Sequence, residues 1–143
     1  MEQLILIRYG EHKDGHLSEQ GTQTMRRAAD SLLRVNLDKV RLLAANTPRA
    51  IESARIIASS LSVEVEVFDE LYAAEEDGKL PDPITAWNLL QKLGTNYDSV
   101  IVVLSREYIE TLPSTVLKQE LTTSLERGEC LIIDLVSKTV SYA

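Results

Sequence analysis

The stretch Leu4-Ile5-Leu6-Ile7-Arg8-Tyr9-Gly10-Glu11-His12 constrains this chain more than any other. An unbroken apolar run is followed at once by a cation, a phenol, a glycine, a carboxylate and an imidazole. Such a run reads as a strand buried on both faces, as in parallel sheets covered by helices. Polar groups just past the carboxyl end of that kind of strand stand where open α/β sheets bind ligands.

The alternation continues along the chain. Ser18 is placed to cap a helix, and Met25, Ala28, Ala29, Leu32 and Leu33 follow the spacing of one apolar face. Val40–Ala45 reads as a second strand. Pro48 opens a second helix, with Ala50, Ile51, Ala54, Ile57, Ala58 and Leu61 as its stripe. Residues 63–67 alternate with period two, as an edge strand with one wet face does. Residues 68–80 are acidic and aperiodic, and read as a loop. Asp82-Pro83 starts a third helix, packed through Ile84, Trp87, Leu90 and Leu93 and ended at Gly94. Ser99–Leu104 is the most apolar strand. A short helix over 107–112 is expected to stop at Pro113, with a second helical piece over 114–121. Residues 130–136 and 139–142 read as a hairpin turning at Ser137-Lys138. Together these elements predict one domain over 1–143: an α/β fold, a three-layer α/β/α sandwich with a largely parallel central sheet and a C-terminal hairpin.

The net charge of −7 disfavours nucleic acid and anionic membrane surfaces as partners, but leaves room for a local cationic pocket. The longest apolar run, residues 100–104, is too short to span a bilayer. No cationic segment precedes an apolar stretch at the start, so a cytoplasmic location is expected. Cys130 is the single cysteine, which excludes an internal disulfide and a zinc cluster. With no clustered His/Asp/Glu set for a metal either, no cofactor is expected.

Right-handed crossovers bring the carboxyl ends of parallel strands to one edge. Arg8 follows the first strand, Arg49 the second and Arg106 the fourth, so three guanidinium groups are predicted to converge there. Guanidinium is the side chain best shaped to grip phosphate oxygens. The competing reading pairs each arginine with a carboxylate close in sequence: Glu11, Glu52 and Glu107.

Four segments in order resemble the histidine phosphatase superfamily (phosphoglycerate-mutase-like), close in length to its small phosphohistidine-phosphatase branch. Leu4 to Glu11 is similar to the opening strand of that family, which ends in Arg-His-Gly. Residues 17–23 resemble its Leu-Thr-x-x-Gly-x-x-Gln helix start. Residues 46–54 resemble its Ser-Pro-x-x-Arg-Ala-x-Gln-Thr-Ala segment, and residues 102–106 its Val-Val-x-Ser-His. The resemblance implies a pocket in which the first histidine attacks phosphorus and two arginines hold the phosphoryl oxygens. A second histidine donates to the same group. By position, Arg8 and Arg49 keep the family's residue type, Tyr9 stands at the nucleophile and Arg106 at the second histidine.

Those two replacements bear directly on the chemistry. An ordinary phenol is ionised to roughly one part in a thousand near neutral pH, and a guanidinium can neither attack nor accept a proton. The family's acidic proton donor is expected among Glu70, Glu75 and Glu76, although Ala73 takes the closest aligned position. His12 and His16 both read as solvated loop histidines. The expected function is a degenerate member that binds phosphate or a phosphorylated ligand on Arg8, Arg49, Arg106 and Tyr9. The alternatives are a phosphomonoesterase or phosphohistidine phosphatase using Tyr9 or His12, and a protein-interaction module with a vestigial pocket.

Overall fold

In the computed structural model, which describes residues 1–143, the chain opens with β1 (Gln3–Arg8) and a small hairpin, β2 (His12–Lys13) and β3 (His16–Leu17). It continues through α1 (Glu19–Leu32), β4 (Val40–Ala45), α2 (Pro48–Leu61), β5 (Val65–Phe68) and α3 (Pro83–Leu93). It closes with β6 (Ser99–Leu104), α4 (Arg106–Leu117), β7 (Cys130–Asp134) and β8 (Thr139–Tyr142). The main sheet has the order β5-β4-β6-β1-β7-β8. Its first four strands are parallel, while β7 and β8 run antiparallel to their neighbours.

The steps from β1 to β4 to β5 move toward one edge, and those to β6 and β7 move back. Right-handed connections therefore place α1 and α2 on one face and α3 and α4 on the other, and each pair packs together. Both faces of the central strands are covered: Leu4 to Ile7 and all of β6 are buried. One cluster of 33 buried apolar residues spans the fold, so the hydrophobic term acts on a single core. Three of the four helices start on the signals in the sequence. Ser18, Thr47 and Asp82 accept from the N–H of Gly21, Ala50 and Thr85. The Cys130 thiol, buried in β7, is pushed up to about 12 by burial.

Three elements differ from the sequence reading. The α3 stripe is centred on Ala86 and Leu90, and Ile84 is 66% exposed. Ile84 lies two residues before Ala86, about 200° round the helix axis. Helix α4 runs unbroken through Pro113. Proline there removes the N–H that would reach the Ile109 carbonyl, but the Thr123 hydroxyl donates to that carbonyl instead, at 2.7 Å. Residues 68–80 contain two short 3₁₀ turns, and Leu71, Ala73 and Ala74 are buried, so the acidic segment is docked on the body.

Candidate anion-binding site

The site is built on the loop that leaves β1, and that loop is pinned at every residue. Tyr9 N–H donates to the Leu104 carbonyl at 3.3 Å, extending the β1–β6 ladder. Gly10 N–H donates to the fully buried Ser53 hydroxyl at 3.1 Å. Ser53 was absent from the predicted apolar stripe of α2, because its burial serves this hydrogen bond. The loop then passes so close to the first turn of α1 that a side chain at Gly21 would meet the Glu11 carbonyl oxygen at 2.1 Å. A glycine is needed there for close backbone approach.

The hairpin β2–β3 turns on Asp14 and Gly15, with φ of 54° and 83°. These are the two positive values of a type I′ turn, for which Asp-Gly is a preferred pair. Glu52 of α2 holds the far strand: its carboxylate accepts from Leu17 N–H at 2.8 Å and lies 3.1 Å from His16 Nδ1. The Leu17 N–H first, and then His16, keep the Glu52 carboxyl below its usual range.

The hairpin brings His12 back over the end of β1, which corrects the expectation of a solvated loop histidine. Its ring meets Tyr9 edge-on, with centroids 5.5 Å apart, and its Nδ1 is buried without a partner. Burial first, then the Arg49 and Arg127 cations, lower the His12 pKa below its ordinary value, against the pull of the Gly10 carbonyl and Glu76. His12 is therefore a neutral imidazole near pH 7. His16 stays exposed, as its place in the sequence suggested.

Arg8 and Arg49 flank Tyr9. The Arg49 guanidinium lies over the Tyr9 ring, 5.1 Å from its centroid, and its Nε is buried without a partner. Burial lowers the Arg49 pKa, but the Tyr9 and Tyr72 phenols and Glu76 outweigh it and leave a net rise. Arg8 is held below its usual guanidinium value by burial, then by the neighbouring Arg127 and Arg106 cations. Arg127 was not singled out in the sequence. Its charge acts on both Arg8 and His12, and its Nε is also buried and unpartnered. A turn from Glu126 to Glu129 delivers it, with Gly128 at φ 93° docked against Thr24 of α1.

Arg106 stands near Arg8, yet its donors are occupied. It pairs with Glu75 at 3.4 Å, Glu107 at 3.7 Å and Glu110 at 3.2 Å, whereas Arg8, Arg49 and Arg127 form no ion pair. The local pairing considered for each arginine thus holds for Arg106 and fails for the other two. Among the acidic candidates, Glu75 is tied to Arg106, and Glu70 is exposed on the first 3₁₀ turn. Glu76 is the one whose charge is felt by Arg49, His12 and Tyr72. Ala73 is buried and carries no ionisable group. Just past β6, Ser105 caps α4 in extended geometry: its carbonyl accepts from the N–H of Tyr108 and Ile109, whereas its Oγ has no partner and the residue is 3% exposed.

This arrangement offers three unpaired guanidinium groups, a helix start and a buried hydroxyl at the carboxyl edge of a parallel sheet, a setting suited to a tetrahedral oxyanion. Residues 4–74 match the family model described as histidine phosphatase superfamily (branch 1). By fold, and by the sequence of its first half, the chain is histidine-phosphatase-like. Solved structures agree. The protein histidine phosphatase SixA complexed with tungstate is 19% identical, with a TM-score of 0.77 over 99% of this chain and 94% of the other. A phosphoserine phosphatase variant from Entamoeba histolytica in complex with phosphoserine is 18% identical, with a TM-score of 0.72 over 100% and 95%. The alpha-ribazole phosphatase from Shigella flexneri is 17% identical, with a TM-score of 0.71 over 99% and 94%. No curated protein sequence matches the chain.

A groove with several apolar side chains lies elsewhere in this histidine-phosphatase-like chain. A space of about 440 Å³ between Met1, Trp87, Leu117 and Leu135 lies at the amino-terminal end of β1 and touches none of the arginines. No helix is long and apolar enough to cross a membrane.

Proposed function

We propose that this protein binds a phosphoryl group on Arg8, Arg49 and Arg127, with Tyr9 as a wall of the site, and does not form a covalent intermediate through Tyr9 or Arg106. One observation carries the reading: three half-buried guanidinium groups with no carboxylate paired to any of them act on one another, on His12 and on Tyr9, Arg49 lying over the Tyr9 ring. Leaving charged donors partly desolvated and unpaired is costly, and a dianion among them relieves that cost. Tyr9 and Arg106, at the positions where the resemblance implies two imidazoles, supply neither a neutral-pH nucleophile nor a proton acceptor. Arg106 acts from the side, holding the acidic segment through Glu75.

A second reading has a specific observation behind it. His12 is neutral near pH 7 and stands against Tyr9 among the cations, so an imidazole is present in the site from three residues farther along. In that reading His12 is the nucleophile and Glu76 the proton donor, and the protein is a phosphatase in a rearranged form. Turnover of p-nitrophenyl phosphate separates the two. The first reading expects none in the parent protein and a gain in the double variant Tyr9→His with Arg106→His. Turnover in the parent that disappears in His12→Ala would establish the second and end the first.

A further inference from the structure

The segment coupled to the arginines through Glu76, which acts on Arg49 and His12, is rich in carboxylates. Asp69, Glu70, Glu75, Glu76 and Asp77 are all exposed, and no lysine or arginine occurs between Phe68 and Gly78. It is held in place by contacts from outside itself: Asn46 donates to Asp69 at 2.7 Å, the Tyr108 hydroxyl donates to the Glu70 carbonyl at 3.1 Å, and Arg106 grips Glu75. Within it, the Tyr72 hydroxyl donates to Asp77 and Ala74 bridges to Lys79. Glu110 of α4 continues the same negative border beyond Arg106. The centre has the opposite sign. Arg8, Arg49 and Arg127 form no ion pair, and Ser105, next after the Leu104 that pairs with Arg8, is 97% buried with its hydroxyl unpartnered, two features that point to an anion independently of the border.

A cationic floor inside an anionic border repels any ligand whose negative charge extends past one phosphoryl group, such as a polyphosphate or an acidic phosphopeptide. It attracts one whose phosphoryl group is followed by positive charge. Glu76 acts on Arg49 and His12, and Glu75 holds Arg106, whose charge acts on Arg8, so border and floor are coupled; such coupling is screened over about 10 Å at 0.1 M salt. Resting on the anion site proposed above, we infer that the ligand is a phosphoryl group carried on a basic polypeptide segment. The polypeptide is favoured over a small phosphocation because the border runs along a docked segment and a helix, and so presents several carboxylates to successive cationic side chains. Single exposed pairs contribute little, and it takes a run of them to give selectivity.

The test is a competition titration of the full chain with two phosphoserine peptides of equal length, one flanked by lysines and one by glutamates, beside inorganic phosphate and phosphoethanolamine. The lysine-flanked peptide is expected to bind about tenfold more tightly than the glutamate-flanked one at 0.1 M salt. That ratio should shrink to about twofold in Glu75→Gln with Asp77→Asn, and also in the parent at high salt. Equal or reversed affinities, with inorganic phosphate still competing, would overturn the inference and leave the anion site standing. Phosphoethanolamine binding as tightly as the lysine-flanked peptide would overturn the polypeptide carrier. Absence of binding by all four ligands would overturn the anion site, and this inference with it.

Discussion

Replacing Gly21 by alanine probes the joint on which the site is hung. In an unconstrained helix the change stabilises by about 1 kcal/mol, because alanine is the better helix former. Here the added methyl would stand 2.1 Å from the Glu11 carbonyl oxygen and 2.9 Å from the Glu11 nitrogen. Both are backbone atoms, and that carbonyl already accepts from Ser18 N–H at 2.9 Å and from the Ser18 hydroxyl at 3.1 Å. The loop must move as a unit, at a cost near the upper end of the roughly 1–3 kcal/mol seen for overpacking. Set against the propensity gain, the net loss is about 1–2 kcal/mol, or a fall in Tm of roughly 3–6 °C for a chain of this size. Because the displaced loop carries Tyr9 and His12, phosphate affinity should fall together with stability. Urea unfolding read by tryptophan fluorescence, paired with phosphate titration, measures both. A variant that is more stable than the parent and binds phosphate equally well would show that loop and helix do not meet as described.

Two further perturbations test separate links. Thr123→Val keeps the shape but leaves the Ile109 carbonyl, already deprived of a donor by Pro113, unsatisfied; it should cost about 1–3 kcal/mol in urea unfolding. Adding Pro113→Ala should recover part of that loss, and a neutral single variant would refute the compensation. For pH, the folded His12 value lies below its ordinary 6.5, so in that interval the unfolded chain binds more protons. The His12 contribution is therefore fully present above about pH 6.5 and is lost as pH falls through the folded value. Parent and His12→Gln should converge in their pH dependence above that point and differ below it, the parent losing stability more steeply; parallel profiles from pH 5 to 7 would contradict the placement of the ring.

Much of the architecture was legible because it is written in local periodicity and caps. The four parallel strands, the closing hairpin and three helix starts follow from apolar runs, from Ser18, Thr47-Pro48 and Asp82-Pro83, and from the turn at Ser137-Lys138. What escaped is non-local. Helix α4 survives Pro113 only because Thr123 returns from 14 residues away. Arg127 comes from a stretch without periodicity, positioned by Gly128 against α1, and nothing near it in the chain announces a role. The hairpin that turns His12 inward did carry a signal, since Asp14-Gly15 is a type I′ pair, but its strands are only two residues long and show no alternation. Arg106 was nominated from its place after β6. Its i,i+4 partner Glu110 and its neighbour Glu107 were visible in sequence, while the third carboxylate, Glu75, is 31 residues distant.

In the proposed site Arg8, Arg49 and Arg127, and not Arg106, hold the phosphoryl group. Calorimetric titration of inorganic phosphate into the four single alanine variants tests it most directly. Loss of one charge-assisted hydrogen bond of about 1.5–3 kcal/mol predicts at least about tenfold weaker binding for Arg8→Ala, Arg49→Ala and Arg127→Ala, and a change within about threefold for Arg106→Ala. Unchanged affinity in Arg127→Ala together with lost binding in Arg106→Ala would contradict this assignment of the phosphoryl-binding cations.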